Sequence, residues 1–152
     1  MSEWMATARA NTTPCQVLEV LTHPAKIRGW SPVDFDLDEL DGRRLAAGMR
    51  GRVTGRLAGV TVGFDLEVHH ADEARLELSA DGPVGIDVRY ELRADDEGAE
   101  FDAWVSMRPS RGIAGKIVAN AAGALLSAGA LEGAAERIAR AAEAQHTLAA
   151  AA

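Results

Sequence analysis

The sequence predicts an α+β fold in which an antiparallel sheet is covered on one face by a long C-terminal helix. Six segments between residues 33 and 107 alternate apolar with polar side chains, as strands with one buried face do. Two short helix signals precede them, and residues 111–143 carry apolar side chains at helical spacing. The long helix is the element left to cover the apolar face of the sheet.

The length of 152 residues and the composition, 47% hydrophobic and 26% charged, are typical of one globular domain. We assign residues 1–145 to this domain and expect the Ala-rich tail, residues 146–152, to be disordered. The formal net charge of -7 argues against a nucleic-acid partner. A single cysteine, Cys15, and a start without a secretory pattern favour a cytoplasmic location. No spanning membrane segment is expected, because charges and glycines interrupt the longest apolar stretch, residues 113–135.

The N-terminal elements are predicted from weak alternation followed by helix signals. Residues 4–10 alternate and indicate a first strand. Thr13 is a hydroxyl cap followed by Pro14 at the first helical position, which predicts a short helix. Pro24 ends that helix, and a second short helix is expected from there to Trp30.

The strands follow from their period of two, and turn residues separate them. The predicted segments are residues 33–37, 49–57, 60–68, 75–80, 84–92 and 101–107, and Asp41-Gly42 is a turn signal after the first of them. If the second and third segments form a hairpin, outward arginines of one lie opposite outward carboxylates of the other. These residues are Arg50, Arg52 and Arg56 on one strand and Asp65 and Glu67 on its partner.

Residues 111–143 are predicted to form one helix with a narrow apolar stripe. The stripe consists of Ile113, Ile117, Asn120, Ala121, Ala124, Ala128, Leu131, Ala135, Ile138 and Ala142. Val118, Leu125 and Leu126 project from the other side, so either loops cover them or they form a contact surface for a second subunit or a membrane. The glycines within the run lower its helix propensity and suggest a mobile lid in its first half.

A set of positions at characteristic spacing accompanies this order of elements: Thr13-Pro14-Cys15-Gln16-Val17, Leu21, Pro24, Ile27, Trp30, Gly42, Gly48, Pro109, Ala130-Leu131 and Ile138. Together they resemble the START-like (SRPBCC) superfamily, and within it the polyketide cyclase/dehydrase and lipid-transport families. The resemblance extends from Trp4 to Glu143. One departure is His23, which stands where these families commonly have an acidic residue.

The resemblance implies a helix-grip fold: a curved antiparallel sheet of about seven strands wrapped around the C-terminal helix, with two short helices after the first strand. It also implies a cavity between sheet and helix for an apolar small molecule. From the alternation of the strands and the stripe of the helix we predict that the following residues bind the ligand: Trp30, Phe35, Val62, Phe64, Leu66, Val88, Tyr90, Ala103, Val105, Ile117, Asn120 and Ala124.

Two functions are left open by these observations. One is binding or transport of a hydrophobic small molecule, a lipid or a polyketide-like compound. The other is a polyketide cyclase or aromatase, an activity that occurs in the resembling families, with Tyr90 as acid or base and Asn120 orienting the substrate. A fully packed core, in which Tyr90 and Asn120 bond to each other or to the backbone, is the alternative to both.

Metal and cofactor sites are not predicted. Alternating aspartates at residues 34–38 resemble the start of a calcium loop, but Glu39 stands where the loop requires glycine. His69 and His70 are adjacent on a strand, so their rings are expected on opposite faces of the sheet, unable to share one ion unless the strand is broken there.

Overall fold

The computed structural model describes residues 2–31, 35–37, 44–57 and 59–151. Its elements in chain order are β1 (Ser2–Ala10), α1 (Pro14–Thr22), α2 (Pro24–Trp30), β2 (Phe35–Leu37), β3 (Arg50–Leu57), β4 (Val60–Ala71), β5 (Arg75–Asp81), β6 (Gly85–Asp95), β7 (Gly98–Met107), α3 (Gly112–Ser127) and α4 (Ala130–Ala151). The predicted strand start at Val33, the residues Asp34, Asp38 and Glu39, and the turn at Asp41-Gly42 lie outside the described residues.

Within the described residues, seven strands form one antiparallel sheet in the order β1-β7-β6-β5-β4-β3-β2. Strands β2 to β7 are each paired with their neighbour in the chain, as a meander requires, and β1 pairs with β7. The predicted α+β architecture, with two short helices after the first strand and helices at the C-terminus, is confirmed.

The two short helices begin where their capping residues predict. The Thr13 hydroxyl accepts a hydrogen bond from the backbone N–H of Gln16 (3.3 Å), and Pro14 opens α1. Pro24 opens α2 directly after the single residue His23, because proline has no N–H to continue the first helix. Helix α2 ends at Trp30, as expected.

The β3–β4 hairpin has the predicted register. Arg50 lies opposite Glu67 (Nη2 to Oε1, 3.4 Å), and Arg52 lies opposite Asp65 (Nη1 to Oδ1, 3.0 Å). Arg56 faces a threonine instead of a carboxylate. These arginines are on the outer face of the sheet, and each exposed pair contributes only ~0.2–1 kcal/mol.

The predicted continuous C-terminal helix is interrupted between Ser127 and Ala130. Gly129 has φ +97°, a left-handed conformation that ends α3, and α4 leaves at an angle of 61° to it. Glycine adopts this conformation without steric cost. Helix α4 then continues through residues 146–151 of the Ala-rich tail. The division into a domain of residues 1–145 and a tail stays a prediction.

The apolar face of α4 follows the predicted stripe and packs against β1 and α1. Its buried residues are Leu131, Ala134, Ala135, Ile138, Ala139 and Ala142. Two polar contacts hold the helix in place: Glu143 accepts from the backbone N–H of Asn11 (2.8 Å), and Arg137 donates to the Trp30 carbonyl (3.1 Å). Helix α3 instead covers a second apolar cluster, which includes Val62 and Phe64 of β4 and Met107 of β7.

In the part of the chain that the structure describes, no single helix has both the length and the apolar composition to cross a membrane. Helices α3 and α4 (to Gln145) meet those two conditions only when taken together, and they are the pair bent by 61°.

Ion pairs on the outer face connect the strands where β1 closes the sheet. Arg93 of β6 donates to Asp102 (2.8 Å) and to Glu100 (2.6 Å) of β7. Thr7 of β1 also donates to Asp102 (2.7 Å), so the cluster joins three adjacent strands. Hydrogen bonds from Arg93 hold the pKa of both carboxyl groups below the ordinary value.

Removing Arg93 should reduce the dependence of stability on pH in the acid range. The folded pKa values of Asp102 and Glu100 are below the unfolded ones, so their contribution is complete above about pH 4.5. It is lost as the pH falls through the lower folded values. Arg93→Gln should therefore give a shallower rise of unfolding free energy with pH, measured by urea denaturation from pH 2 to 7. Arg50→Gln, at a side chain 82% exposed, is the control; equal slopes in the two variants would contradict this role.

Gly115 allows the start of α3 to lie directly against the backbone of the β5–β6 turn. A Cβ at Gly115 would lie 2.5 Å from the Pro83 carbonyl oxygen. Gly115→Ala should therefore lower the unfolding free energy, although alanine favours a helix interior by ~1 kcal/mol over glycine. In the matched variant Gly123→Ala the new Cβ finds its nearest atom, on Met107, at 3.6 Å, and stability should rise. Chemical denaturation measures both; a stabilised Gly115→Ala would disprove the contact.

Candidate ligand cavity

A cavity of about 340 Å³ lies between the inner face of the sheet, α2 and the junction of α3 with α4. Its described lining residues are Leu21, Ile27, Trp30, Phe35, Leu45, Val53, Leu57, Leu66, Leu76, Leu78, Ile86, Val88, Tyr90, Val105, Ala122, Leu125, Leu126, Ala130, Leu131 and Ala134. Alternation brings the strand residues to this face: Tyr90 pairs with Leu76, and Val88 pairs with Leu78.

The burial of the lining residues is graded from one end of the cavity to the other. Leu21 and Leu76 are 1% exposed, and Tyr90 is 4% exposed. Leu125 of α3 retains 38% exposure, and Leu57 at the end of β3 is half-buried. Among the described lining residues Leu125 is the most exposed, so the described part of the cavity is most accessible beside the C-terminal end of α3.

The described lining offers one free hydrogen-bonding side chain. Only Trp30 and Tyr90 carry polar side-chain atoms there, and the Trp30 Nε1–H already donates to the Val20 carbonyl (3.1 Å). The Tyr90 hydroxyl has no hydrogen-bond partner among the described residues, and burial alone raises the pKa of its phenol. Tyr90 is thus a protonated donor that faces an apolar space.

Six of the twelve predicted ligand-binding residues line this cavity: Trp30, Phe35, Leu66, Val88, Tyr90 and Val105. Five of these residues lie on strands with clear alternation, and Trp30 lies on α2, which the helix signals predict. Val62 and Phe64 also face inward from β4, but they pack in the second cluster beneath α3. Ala103 faces inward from β7 and is fully buried in the main core.

The three predicted residues of α3 do not reach the cavity. Ile117 is 49% exposed, and Asn120 and Ala124 are exposed on the same side of the helix. The buried side runs instead through Gly115, Val118 and Ala122. The prediction extended the apolar stripe of α4 into α3 as if the two were one helix. Because the chain bends at Gly129, α3 turns a different side towards the sheet. Asn120 therefore cannot orient a substrate for Tyr90 or bond to it.

The predicted outward surface of Val118, Leu125 and Leu126 is corrected by the same change of phase. Val118 is 2% exposed and packs in the second cluster, and both leucines line the cavity. Sequence reasoning therefore missed Leu125 and Leu126 as lining residues. The sequence signal that could have found them is the spacing of Gly115, Val118 and Ala122, small or branched residues at helical positions beside a glycine stop.

Val118 and Ile117 are neighbours that test the phase of α3 directly. Val118→Asn would bury an amide without a partner and should cost about 2–3 kcal/mol of unfolding free energy. Ile117→Asn changes an exposed side chain and should stay within about 0.5 kcal/mol of the parent protein. Urea denaturation of both variants measures the difference. A larger loss of unfolding free energy in Ile117→Asn than in Val118→Asn would show that the predicted stripe of α3 is the buried one.

The histidine pair is placed differently from the prediction. The pairing of β4 with β5 shifts between Val68 and His70, and this bulge turns both rings to the outer face. The His69 ring contacts the Ser79 hydroxyl (2.8 Å), and the His70 ring contacts Asp72 (2.6 Å). Among the described residues no group of three or more His, Cys, Asp or Glu side chains is arranged to hold a metal ion.

Comparison with known proteins finds similarity to solved structures only. No family model and no curated protein matches the chain. Protein CV1439 of Chromobacterium violaceum matches with a TM-score of 0.67 at 12% identity, over 94% of this chain and 99% of its own. TTHA0849 of Thermus thermophilus matches with a TM-score of 0.66 at 16% identity, over 95% and 99%.

A third structure similar to this chain is DynU16, a protein of the dynemicin biosynthetic locus. It matches with a TM-score of 0.55 at 19% identity, over 92% of this chain and 46% of its own, so this chain spans about half its length. These structures are small antiparallel-sheet proteins and are consistent with a helix-grip fold. At such low identities the likeness shows the fold alone.

Proposed function

We propose that this protein binds and carries a hydrophobic small molecule, a lipid or a polyketide-like compound, in the cavity between its sheet and its C-terminal helices. The observation that carries the proposal is the cavity itself, about 340 Å³ with a described lining that is apolar except for Trp30 and Tyr90. This volume is within the range of ~300–1,000 Å³ for small-molecule sites, which are lined mainly by apolar side chains with a few polar groups.

An apolar ligand in the cavity would gain dispersion contacts with the lining atoms and lose its own exposure to water. Because such a ligand binds only the folded state, it should raise the unfolding temperature. A packed core would leave no such volume, so the cavity favours binding over the packed alternative.

The resemblance to the START-like superfamily supports the same function, because cavities for apolar molecules are implied by it. The fold likeness to CV1439, TTHA0849 and DynU16 is consistent with that resemblance. Membership of the superfamily, and a cytoplasmic location, are part of this proposal.

The cyclase or aromatase alternative has less support from the described residues. Proton transfer needs acids or bases at the substrate, and the described lining contains no Asp, Glu, His, Lys or Arg. Tyr90 remains the one titratable group there, and its raised pKa keeps the phenol protonated, which opposes a role as a base near neutral pH. Arg50 and Arg52, which would have favoured catalysis inside the cavity, pair on the outer face.

Ala122 and Ala124 form a matched pair on α3 for testing the cavity. Ala122 is 6% exposed and lines the cavity, whereas Ala124 is exposed and outside it. Ala122→Phe places a ring into the cavity and should weaken binding of the neutral apolar dye Nile red at least tenfold. Ala124→Phe should bind the dye as the parent protein does.

Fluorescence titration measures both affinities, and circular dichroism checks that both variants remain folded. Unchanged dye binding in a folded Ala122→Phe would show that the cavity is not the binding site. Loss of dye binding in Ala124→Phe alone would move the site to the exposed side of α3.

A further inference from the structure

We propose that the cavity selects an uncharged ligand with an apolar body and one hydrogen-bond acceptor at its inner end, which the Tyr90 hydroxyl binds, and that it rejects ionised carboxylates. This inference rests on the proposed binding function and names the chemical class of the ligand. We therefore expect a ketone, ester or aldehyde with a hydrocarbon chain to bind more tightly than both the free fatty acid and the plain hydrocarbon.

The position of Tyr90 defines the inner end of the ligand. Tyr90 lies in the middle of β6, between Leu76 of β5 and Ala103 of β7, which are 1% and 0% exposed. The described lining residue that retains most exposure is Leu125 of α3. A polar group bound by Tyr90 therefore lies away from solvent, and the apolar remainder of the ligand extends towards Leu125.

The state of the hydroxyl determines which partner it takes. Burial raises the pKa of Tyr90, so the phenol keeps its proton throughout the physiological range. Its O–H has no acceptor among the described residues and lies in an apolar lining. An acceptor on the ligand completes this bond, and a plain hydrocarbon leaves the hydroxyl unpaired.

The absence of a positive charge in the described lining disfavours anions. Three described arginines that follow or precede a lining residue in the chain, or bond to one, are engaged elsewhere. Arg44 donates to the Thr22 hydroxyl (3.0 Å), Arg137 donates to the Trp30 carbonyl, and Arg28 approaches Asp36 (3.7 Å). A carboxylate in the cavity would lose its hydration without gaining an ionic partner, and one neutral hydroxyl does not compensate for that loss.

A ligand with several polar groups is disfavoured for a related reason. The Trp30 N–H is already bonded to Val20, and the strands beside Tyr90 are paired with each other along their length. Additional polar groups of a ligand would be buried without partners, and each would cost affinity. The described lining can therefore form a hydrogen bond with one acceptor of the ligand.

An eleven-carbon series tests the inference: 2-undecanone, undecane and undecanoate at pH 8, each measured by displacement of Nile red from the full-length protein. We expect 2-undecanone to bind about tenfold more tightly than undecane, the size of one added hydrogen bond. Undecanoate should bind at least tenfold more weakly than 2-undecanone. In Tyr90→Phe, which removes only the hydroxyl, the ketone carbonyl would be buried without a donor, so the preference for the ketone should be lost and the hydrocarbon should bind at least as tightly.

The outcomes separate this inference from the proposed function. An undecanoate affinity equal to that of 2-undecanone overturns the ligand class, and so does an unchanged preference for the ketone in Tyr90→Phe. Both results leave binding in the cavity standing, because Nile red and the hydrocarbon still bind. Failure of Nile red to bind the parent protein overturns the proposed function itself, and the ligand class with it.

Discussion

The close packing of small residues between α4 and β1 is the contact on which the rest of the structure depends. The inward side chains of β1 are Ala6, Ala8 and Ala10, and α4 meets them with Ala135, Ala139 and Ala142. Because both surfaces lack large side chains, the helix lies close to the strand. Ile138, Phe101 and Leu21 fill the space around this contact and are 1% exposed or less. The end of the sheet next to β1 is therefore tightly filled.

The cavity lies beside this packed region, and Leu21 and Leu131 of the main cluster line it. The bend at Gly129 turns α3 away from the direction of α4 and over a second cluster. Leu125 and Leu126 of α3, Trp30 of α2 and the strands bound the cavity there. The shape of the cavity thus depends on the change of helix direction at Gly129.

Local patterns were sufficient for most of the fold, and half of the residues that they assigned to the ligand line the cavity. Thr13 and Pro14 define a helix start within a few residues of the chain, and alternation puts Val88 and Tyr90 on one face regardless of distant contacts. Ile117, Asn120 and Ala124 were misplaced because the apolar stripe of α4 was extended into α3. Helical periodicity does not carry over from one helix to the next when the chain bends between them. The ring positions of His69 and His70 were misplaced because a bulge inserts one residue and changes the face of those that follow.

The sequence by itself determined the class of the fold, the order of its elements along the chain and the apolar character of its interior, because these follow from short-range periodicity and capping. The tertiary structure alone decided that the interior is open. A cavity is the difference between the volume that the backbone encloses and the volume that side chains fill, and no local pattern contains that difference. It also decided that Tyr90 is the free polar group of the described lining, because a partner for its hydroxyl is a matter of three-dimensional neighbours.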